Sequence, residues 1–338
     1  MELCPIKLFK AQNLVAWSAV KIKNISTTMT TTLYLKLISL FCIITFCKIA
    51  FIQATEISPI IGVGQESFTF EVSDFGAGSK TVKFEPNIAG VLRLGVNAFG
   101  FGLGYSFRGP DKDTNPLNGK TQFSDWQLGY NSNNWGIEGF YQTYDGFYTA
   151  NTSAVQTYPN LSFKHYGLTT RYALEDSAFT VDGLMNQADE IKQTTGKVYV
   201  VFAMDQHQML TDTSLLQNEY AGINTTIENL RSLKSDAVKF GVGGGKYWVS
   251  DERLFIGGLA DLMSTYANYK YESTTGNSTD SDFTTSFNLK LSAGYSTPHF
   301  RTGISIAGDI TTLKAGGQGN LKASANRVLI YIRTAFNF

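Results

Sequence analysis

From residue 55 onward the dominant pattern is alternation with a period of two, which puts successive side chains on opposite faces of a strand. In "FGFGLGYSFR", Phe99, Phe101, Leu103, Tyr105 and Phe107 face one way, and Gly100, Gly102, Gly104, Ser106 and Arg108 the other. "FKHYGLTTRYAL" sets Tyr166, Leu168, Tyr172 and Leu174 against His165, Gly167, Thr169 and Arg171. "FTTSFNLKLSAGY" opposes Phe283, Phe287, Leu289, Leu291 and Tyr295 to Thr284, Ser286, Asn288, Lys290 and Ser292. "FRTGISIAGDI" sets Phe300, Ile304, Ile306 and Ile310 against Arg301, Gly303, Ser305 and Asp309. Similar runs cover 82–97, 121–132, 134–148, 178–187, 197–208, 235–248 and 253–271, with a weaker one at 57–72.

The connections alternate as well. Short ones fall near 97–98, 131–134, 175–177, 249–252 and 297–298, and longer polar ones near 73–80, 109–120, 149–161, 188–195, 272–281 and 315–324. Short turns at one end and long loops at the other describe an up-and-down antiparallel transmembrane β-barrel. No window after residue 55 holds 18 consecutive apolar residues, so no helical span is expected there. The apolar faces carry aromatics near strand ends, as lipid-facing belts do. The opposite faces carry Gly, Ser, Thr, Asn and isolated charges, which suits a narrow polar lumen. A water-soluble barrel or sandwich is the competing fold, and it would place more charge on its outer faces. Thirteen candidate strands are found where such barrels have even numbers. Either 209–233 hides one more, giving 14, or a weak candidate drops out, giving 12, and 14 is preferred.

The last strand, "RVLIYIRTAFNF", places Val328, Ile330, Ile332, Thr334, Phe336 and Phe338 on one face. An alternating strand closing on aromatics resembles the signal by which barrel-assembly machinery takes up outer-membrane proteins. Phe336 and Phe338 are the expected assembly residues. Loss of Phe338 is expected to impair assembly and not chemistry.

Charge and cysteine usage divide the chain at the same place. Residues 1–54 hold six lysines and one acid, Glu2, leaving 22 basic against 27 acidic residues and a net charge of −5 from 55 onward. No concentrated basic face suggests nucleic-acid binding. Cys4, Cys42 and Cys47 all precede residue 55, which excludes a disulfide framework or Cys-ligated metal in the main body. Residues 29–54 read as a signal peptide: Lys36, an apolar run from Leu37 to Cys47, then Ala54 as cleavage residue. That run is too short to anchor the chain across a bilayer, and Phe41 and Phe46 before the cysteines exclude a lipoprotein site. Residues 1–28 are read as upstream sequence from a mis-called start, and 55–338 as the barrel domain.

Chemical motifs are sparse. "GVGGGKYW" at 241–248 lacks both the leading glycine and the Ser or Thr of a phosphate loop, and its glycines are read as thinning the lumen wall. On the transmembrane-barrel reading the sequons at Asn151, Asn160, Asn224 and Asn277 are expected to be composition and not glycosylation sites. His165, His207 and His299 show no ligand spacing; the first two fall on inward faces, where a polar lining is expected and a catalytic base conceivable. Charges assigned to the lumen are Glu85, Arg93, Arg108, Asp125, Arg171, Asp182, Asp205, Lys239, Lys290, Arg301, Asp309 and Arg333. With His165 and His207 they are the candidate pore-lining residues. They could form a selectivity field or closed internal ion pairs.

At "FEPN…GFGLGYSF", "WGIEGFYQTYDGFY", "YPNL…HYGL" and "GVGGGKYW" the chain resembles a bacterial family of unknown function whose members are predicted outer-membrane β-barrels. The likeness runs over roughly residues 80 to 338. It rests on Glu85-Pro86-Asn87, Tyr144 with Gly146-Phe147-Tyr148, Tyr158-Pro159, His165-Tyr166-Gly167, Asn186-Gln187 and Gly243-Gly244-Gly245. The resemblance implies the fold and a Gram-negative outer-membrane location, and no activity. The leading expectation is a passive pore or solute-uptake protein that meets outer-membrane lipid and a small solute, with no cofactor, metal or nucleic acid. A hydrolase using a lumenal histidine and a structural or adhesive surface protein are the alternatives.

Overall fold

The computed structural model describes residues 57–75, 80–88, 90–109, 115–132, 134–150, 155–186, 190–216, 228–250, 253–315 and 321–336. The expected leader and upstream segment lie outside these residues, as does Phe338. The described strands are β1 (Ile57–Phe75), β2 (Lys80–Glu85), β3 (Val91–Ala98), β4 (Phe101–Arg108), β5 (Gln122–Asn131), β6 (Trp135–Thr149) and β7 (Thr157–Ala173). They continue with β8 (Thr195–Leu210), β9 (Leu230–Val249), β10 (Leu254–Ser273), β11 (Gly276–Ser296), β12 (Phe300–Ala315) and β13 (Leu321–Phe336). One short helix, α1 (Val181–Asn186), lies between β7 and β8.

From β3 to β13 each strand pairs antiparallel with the next. β1 pairs with β13 from Ile60↔Ala335 to Ser73↔Lys322, which closes the sheet. Closure satisfies the ladder groups of both edge strands, so no edge is left to aggregate. On its other side β1 pairs with β3 through residues 57–64 and with β2 through residues 70–75. β2 and β3 are thus two pieces of one wall strand, and the thirteen strands occupy twelve positions around the wall. Above the short hairpins β2 reaches β6 directly, at Phe84↔Thr149 and Glu85↔Tyr148.

Three expected features differ. The run 178–187, read as a strand, is the segment carrying α1: every residue from Val181 to Met185 is buried, so its apparent alternation has no second face. The polar stretch 272–281, read as a loop, is a long hairpin that turns at Thr274-Thr275 and continues in register from Ser273↔Gly276. Within 209–233, β8 ends at Leu210 and β9 begins at Leu230, and residues 217–227 lie outside the described ones. The weakest expectation, 57–72, is a full strand that pairs on both sides.

The strands carry two opposite face patterns. Near the end with the short β3–β4, β5–β6, β9–β10 and β11–β12 turns, the outer face is apolar. There Leu168 (42% exposed), Val242 (58%), Ile256 (60%) and Leu262 (55%) form a belt with Ile61, Leu103, Phe202, Leu291 and Ile304. Trp135, Tyr172 and Trp248 edge the belt on one side and Tyr141, Tyr166 and Tyr266 on the other, all exposed. Toward the long-loop end the phase inverts. On β7 the outward sequence passes from Tyr166 to Lys164 and Ser162, while the inner one passes from His165 to Phe163 and Leu161. On β1, Phe68, Phe70 and Val72 point inward beyond Gly62 and Glu66.

Candidate functional site

Two apolar clusters fill the ends of the lumen. At the long-loop end Phe68, Phe70, Phe84, Phe123, Tyr144, Phe147, Tyr158 and Phe163 pack together from the inner wall. Phe68 stacks on Tyr144 with ring centroids 4.5 Å apart, and Phe84 meets Tyr158 edge-on at 5.2 Å. At the turn end the β7–β8 connection folds back into the barrel as a plug. Phe179, Val181, Leu184 and Met185 pack against Tyr199, Val201, Tyr247, Phe255 and Leu259 of the wall.

The plug has local polar support. Thr180 Oγ1 accepts from Gly183 N at 2.9 Å, as a helix N-cap does. Ser296 Oγ accepts from Ile191 N at 2.9 Å, and Ser305 Oγ donates to Met185 O at 3.3 Å. The wall also makes room for it. A Cβ at Gly245 would come within 2.2 Å of the Phe179 ring, and one at Gly243 within 2.1 Å of Asp261 Oδ1. The glycine run that mimics a phosphate loop therefore seats a plug aromatic and a buried carboxylate.

Between the clusters, at belt height, lies a chamber of ≈ 170 Å³. Its main charge network crosses the barrel. Arg171 of β7 donates through Nη2 to Asp261 Oδ2 of β10 at 2.7 Å and through Nη1 to Glu138 Oε2 of β6. Lys290 Nζ of β11 reaches Glu138 Oε1 at 2.5 Å, and Asn288 Nδ2 donates to Asp261 Oδ2 at 3.3 Å. Arg171 is 1% exposed and Asp261 fully buried. A buried pair of this kind balances desolvation against attraction, but losing one partner strands the other charge. A second group joins Lys239 Nζ to Asp205 Oδ2 at 2.7 Å, beside His165 and His207. A third brings Arg93 Nη2 to Asn186 Oδ1 of the plug at 3.4 Å.

Of the residues expected in the lumen, Arg93, His165, Arg171, Asp205, Lys239 and Lys290 line this chamber from the wall. Asp182 lines it too, from the plug and not from a strand. Asp125 (fully buried), His207 (1% exposed) and Arg301 (1%) are also buried on inward faces without lining it. Arg108 donates to Thr121 O at 2.8 Å, above the chamber. Glu85 is a correction. It faces outward, opposite the inward Phe84, and accepts from Tyr148 Oη at 3.2 Å. The break at 86–90 between β2 and β3 shifts the parity, so the inner positions are even in β2 and odd in β3. Asp309 sits in β12 opposite Asn288 and Arg327, Arg333 in β13 opposite Gly62 and Gly303, and Phe336 ends β13 opposite Phe300.

Glu138 and Asp261, central to the charge network, were not among the expected lumen charges. Asp261 shares its inner face with Leu259 and Met263 while the outer face is also apolar, so polarity does not mark the face. Glu138 shares its face with Phe140, which hides it the same way. Register could have found both, since each falls on the inner parity of its strand.

The continuous antiparallel order, the closing β1–β13 pair and the apolar outer belt define a β-barrel of the outer-membrane type. The chain belongs to the family described as "Domain of unknown function (DUF4421)", whose profile matches residues 59–334. No curated protein matches it. Among solved structures it is similar to the outer membrane protease OmpT of Escherichia coli, at 10% identity over 84% of this chain and 97% of that one, with a TM-score of 0.38. The β domain of the Bordetella autotransporter BrkA gives 11% identity, 83% and 98% coverage and a TM-score of 0.34. A Pseudomonas aeruginosa FadL homologue gives 10%, 85% and 91%, and 0.22.

Proposed function

We propose that this protein is an outer-membrane solute-uptake barrel that rests closed and holds a small, charge-bearing polar solute in its central chamber. The observation that carries the reading is the chamber itself: polar and ion-paired at belt height, sealed by aromatics at one end and by a foldback plug at the other. An always-open pore fits less well, because the loop-end aromatics fill the lumen. The turn end would face the periplasm, as short turns do in such barrels. Export by the leader and insertion through the C-terminal strand ending at Phe336 and Phe338 belong to the same proposal, as does contact of the belt with lipid.

The test is conductance in planar bilayers together with solute flux into liposomes. The refolded wild type is expected to be nearly silent as a conductor. A variant with residues 178–190 replaced by a short Gly-Ser linker and with Phe68 and Phe163 changed to Ala, so that both seals are opened, is expected to pass small ions. That doubly opened barrel, folded as shown by its heat-modifiable gel migration yet as tight as wild type, would sink the uptake reading.

A further inference from the structure

We propose that His165, Asp205 and His207 form a binding site for one divalent first-row transition ion, with Zn²⁺ as the probe. The three residues come from two neighbouring strands. His165 of β7 lies directly opposite His207 of β8, and Asp205 is two positions along β8 on the same inner face. Register therefore puts both imidazoles and the carboxylate together without help from any loop. The rings stack with centroids 3.8 Å apart and 17° between planes. Each Nε2 faces the same carboxylate oxygen, His165 at 3.6 Å and His207 at 3.5 Å from Asp205 Oδ2. One candidate ligand atom from each residue lies within 4.8 Å of the others.

Those separations are long for hydrogen bonds and suit a shared metal. Ligand bonds of about 2.0–2.2 Å at a tetrahedral angle place neighbouring donor atoms roughly 3.3–3.6 Å apart. Several polar atoms of His207 and Asp205 also lack a hydrogen bond. His207 is 1% exposed, yet neither its Nδ1 nor its Nε2 has a hydrogen-bond partner, and Asp205 Oδ1 has none. Buried polar atoms without partners are rare, and an absent ion is one physical account of them. Two imidazoles and one carboxylate leave coordination positions open. His165 and Asp205 line the chamber, so an ion can reach the site from it.

Lys239 is the opposing observation. Its ammonium lies 2.7 Å from Asp205 Oδ2, where a metal would bind. Asp205 Oδ1 offers it a second seat once the metal holds Oδ2. The ammonium would still weaken the site by repulsion, which gives the proposal a signature that simple loss of binding lacks.

The test uses metal-stripped, refolded full-length protein in detergent, titrated with Zn²⁺ by calorimetry and with Co²⁺ by visible absorption. Wild type is expected to bind one ion per chain. His207→Ala and Asp205→Asn should each weaken binding at least about 100-fold, exceeding what outer partners of a metal site are worth. Lys239→Met should tighten binding by about tenfold or more, because it removes a like charge next to the ion. Wild type that takes up no more metal than the His165→Ala/His207→Ala double variant would overturn the site. Binding that survives His207→Ala unchanged, or that Lys239→Met does not strengthen, would overturn it as well.

Discussion

The two halves of this barrel solve opposite problems with the same strands. At belt height the outer face is Leu168, Val242, Ile256 and Leu262 and the inner face is Arg171, Asp261, Glu138 and Lys290. Toward the loop end the outer face becomes Lys164, Asp236, Asn268 and Lys270 while the inner face becomes Phe163, Phe70 and Tyr269. No register slip separates the two patterns on β10, which pairs residue for residue with β9 from Phe255 to Glu272. The proposed membrane placement accounts for the inversion by a change of surroundings. Where the outside is hydrocarbon, apolar side chains gain nothing by moving inward and the lumen can hold charge. Where the outside is water, burying aromatics is the driving force, and that half folds like an ordinary soluble core. Each half should therefore fail in its own way.

The largest effect is expected inside the loop-end half. Phe163 is 1% exposed and packs on Phe68 with ring centroids 4.7 Å apart. Phe163→Ala should cost about 3–5 kcal/mol, as large-to-small changes in packed cores do, measured by urea titration of folding into liposomes. Conductance should stay closed, because the plug still seals the other end. At belt height, Arg171→Met should cost a similar or slightly smaller amount, about 3 kcal/mol, by leaving Asp261 buried and unpaired. Adding Asp261→Leu should recover much of that loss. If the double change is no more stable than Arg171→Met, the cost does not come from the stranded carboxylate.

How much of this was legible in the sequence follows from the same inversion. Strands whose readable stretch stays within the belt, such as Phe283–Tyr295 and Phe300–Ile306, show clean alternation, and their faces are the observed ones. β1 crosses from one zone to the other, so its inner face runs Ser58, Ile60, Gly62, Gly64, Glu66, Phe68, Phe70 and averages to a weak signal. The barrel class was legible because alternation survives inversion. The charge network was legible only in part: Arg171 and Lys290 stand on faces free of large apolar residues, whereas Glu138 and Asp261 do not. The plug was not legible, since a segment buried on all sides has no face to reveal and its Phe179 finds a partner in a glycine 66 positions away, at Gly245.

The outer face offers a sharper comparison at lower cost. Leu262 is 55% exposed within the belt. Leu262→Arg should destabilise the folded barrel by about 2–4 kcal/mol, the range for an arginine near the middle of the lipid. Gly245→Leu should cost somewhat less, about 1–3 kcal/mol, by overpacking against Phe179. In a barrel whose loop-end seal is already opened by Phe68→Ala and Phe163→Ala, it should also raise conductance by displacing the plug, a readout that Leu262→Arg should leave alone.

The smallest expected effect is the most discriminating. Asn268 lies on the same strand and the same outer face as Leu262, six residues further toward the loop end. Its cross-strand neighbours are Asp236 on β9 and Ser281 on β11, so a cation there meets polar company and one carboxylate. Asn268→Arg should therefore change stability by less than about 0.5 kcal/mol, as surface substitutions in water do. Six residues of strand rise span about 20 Å, enough to carry a side chain out of the hydrocarbon even when the strand is tilted. Measured in the same liposomes, the ratio of the two arginine costs locates the lipid boundary on β10. Equal costs at 262 and 268 would mean that hydrocarbon reaches both. The polar outer face of the loop-end half would then need another cause than water.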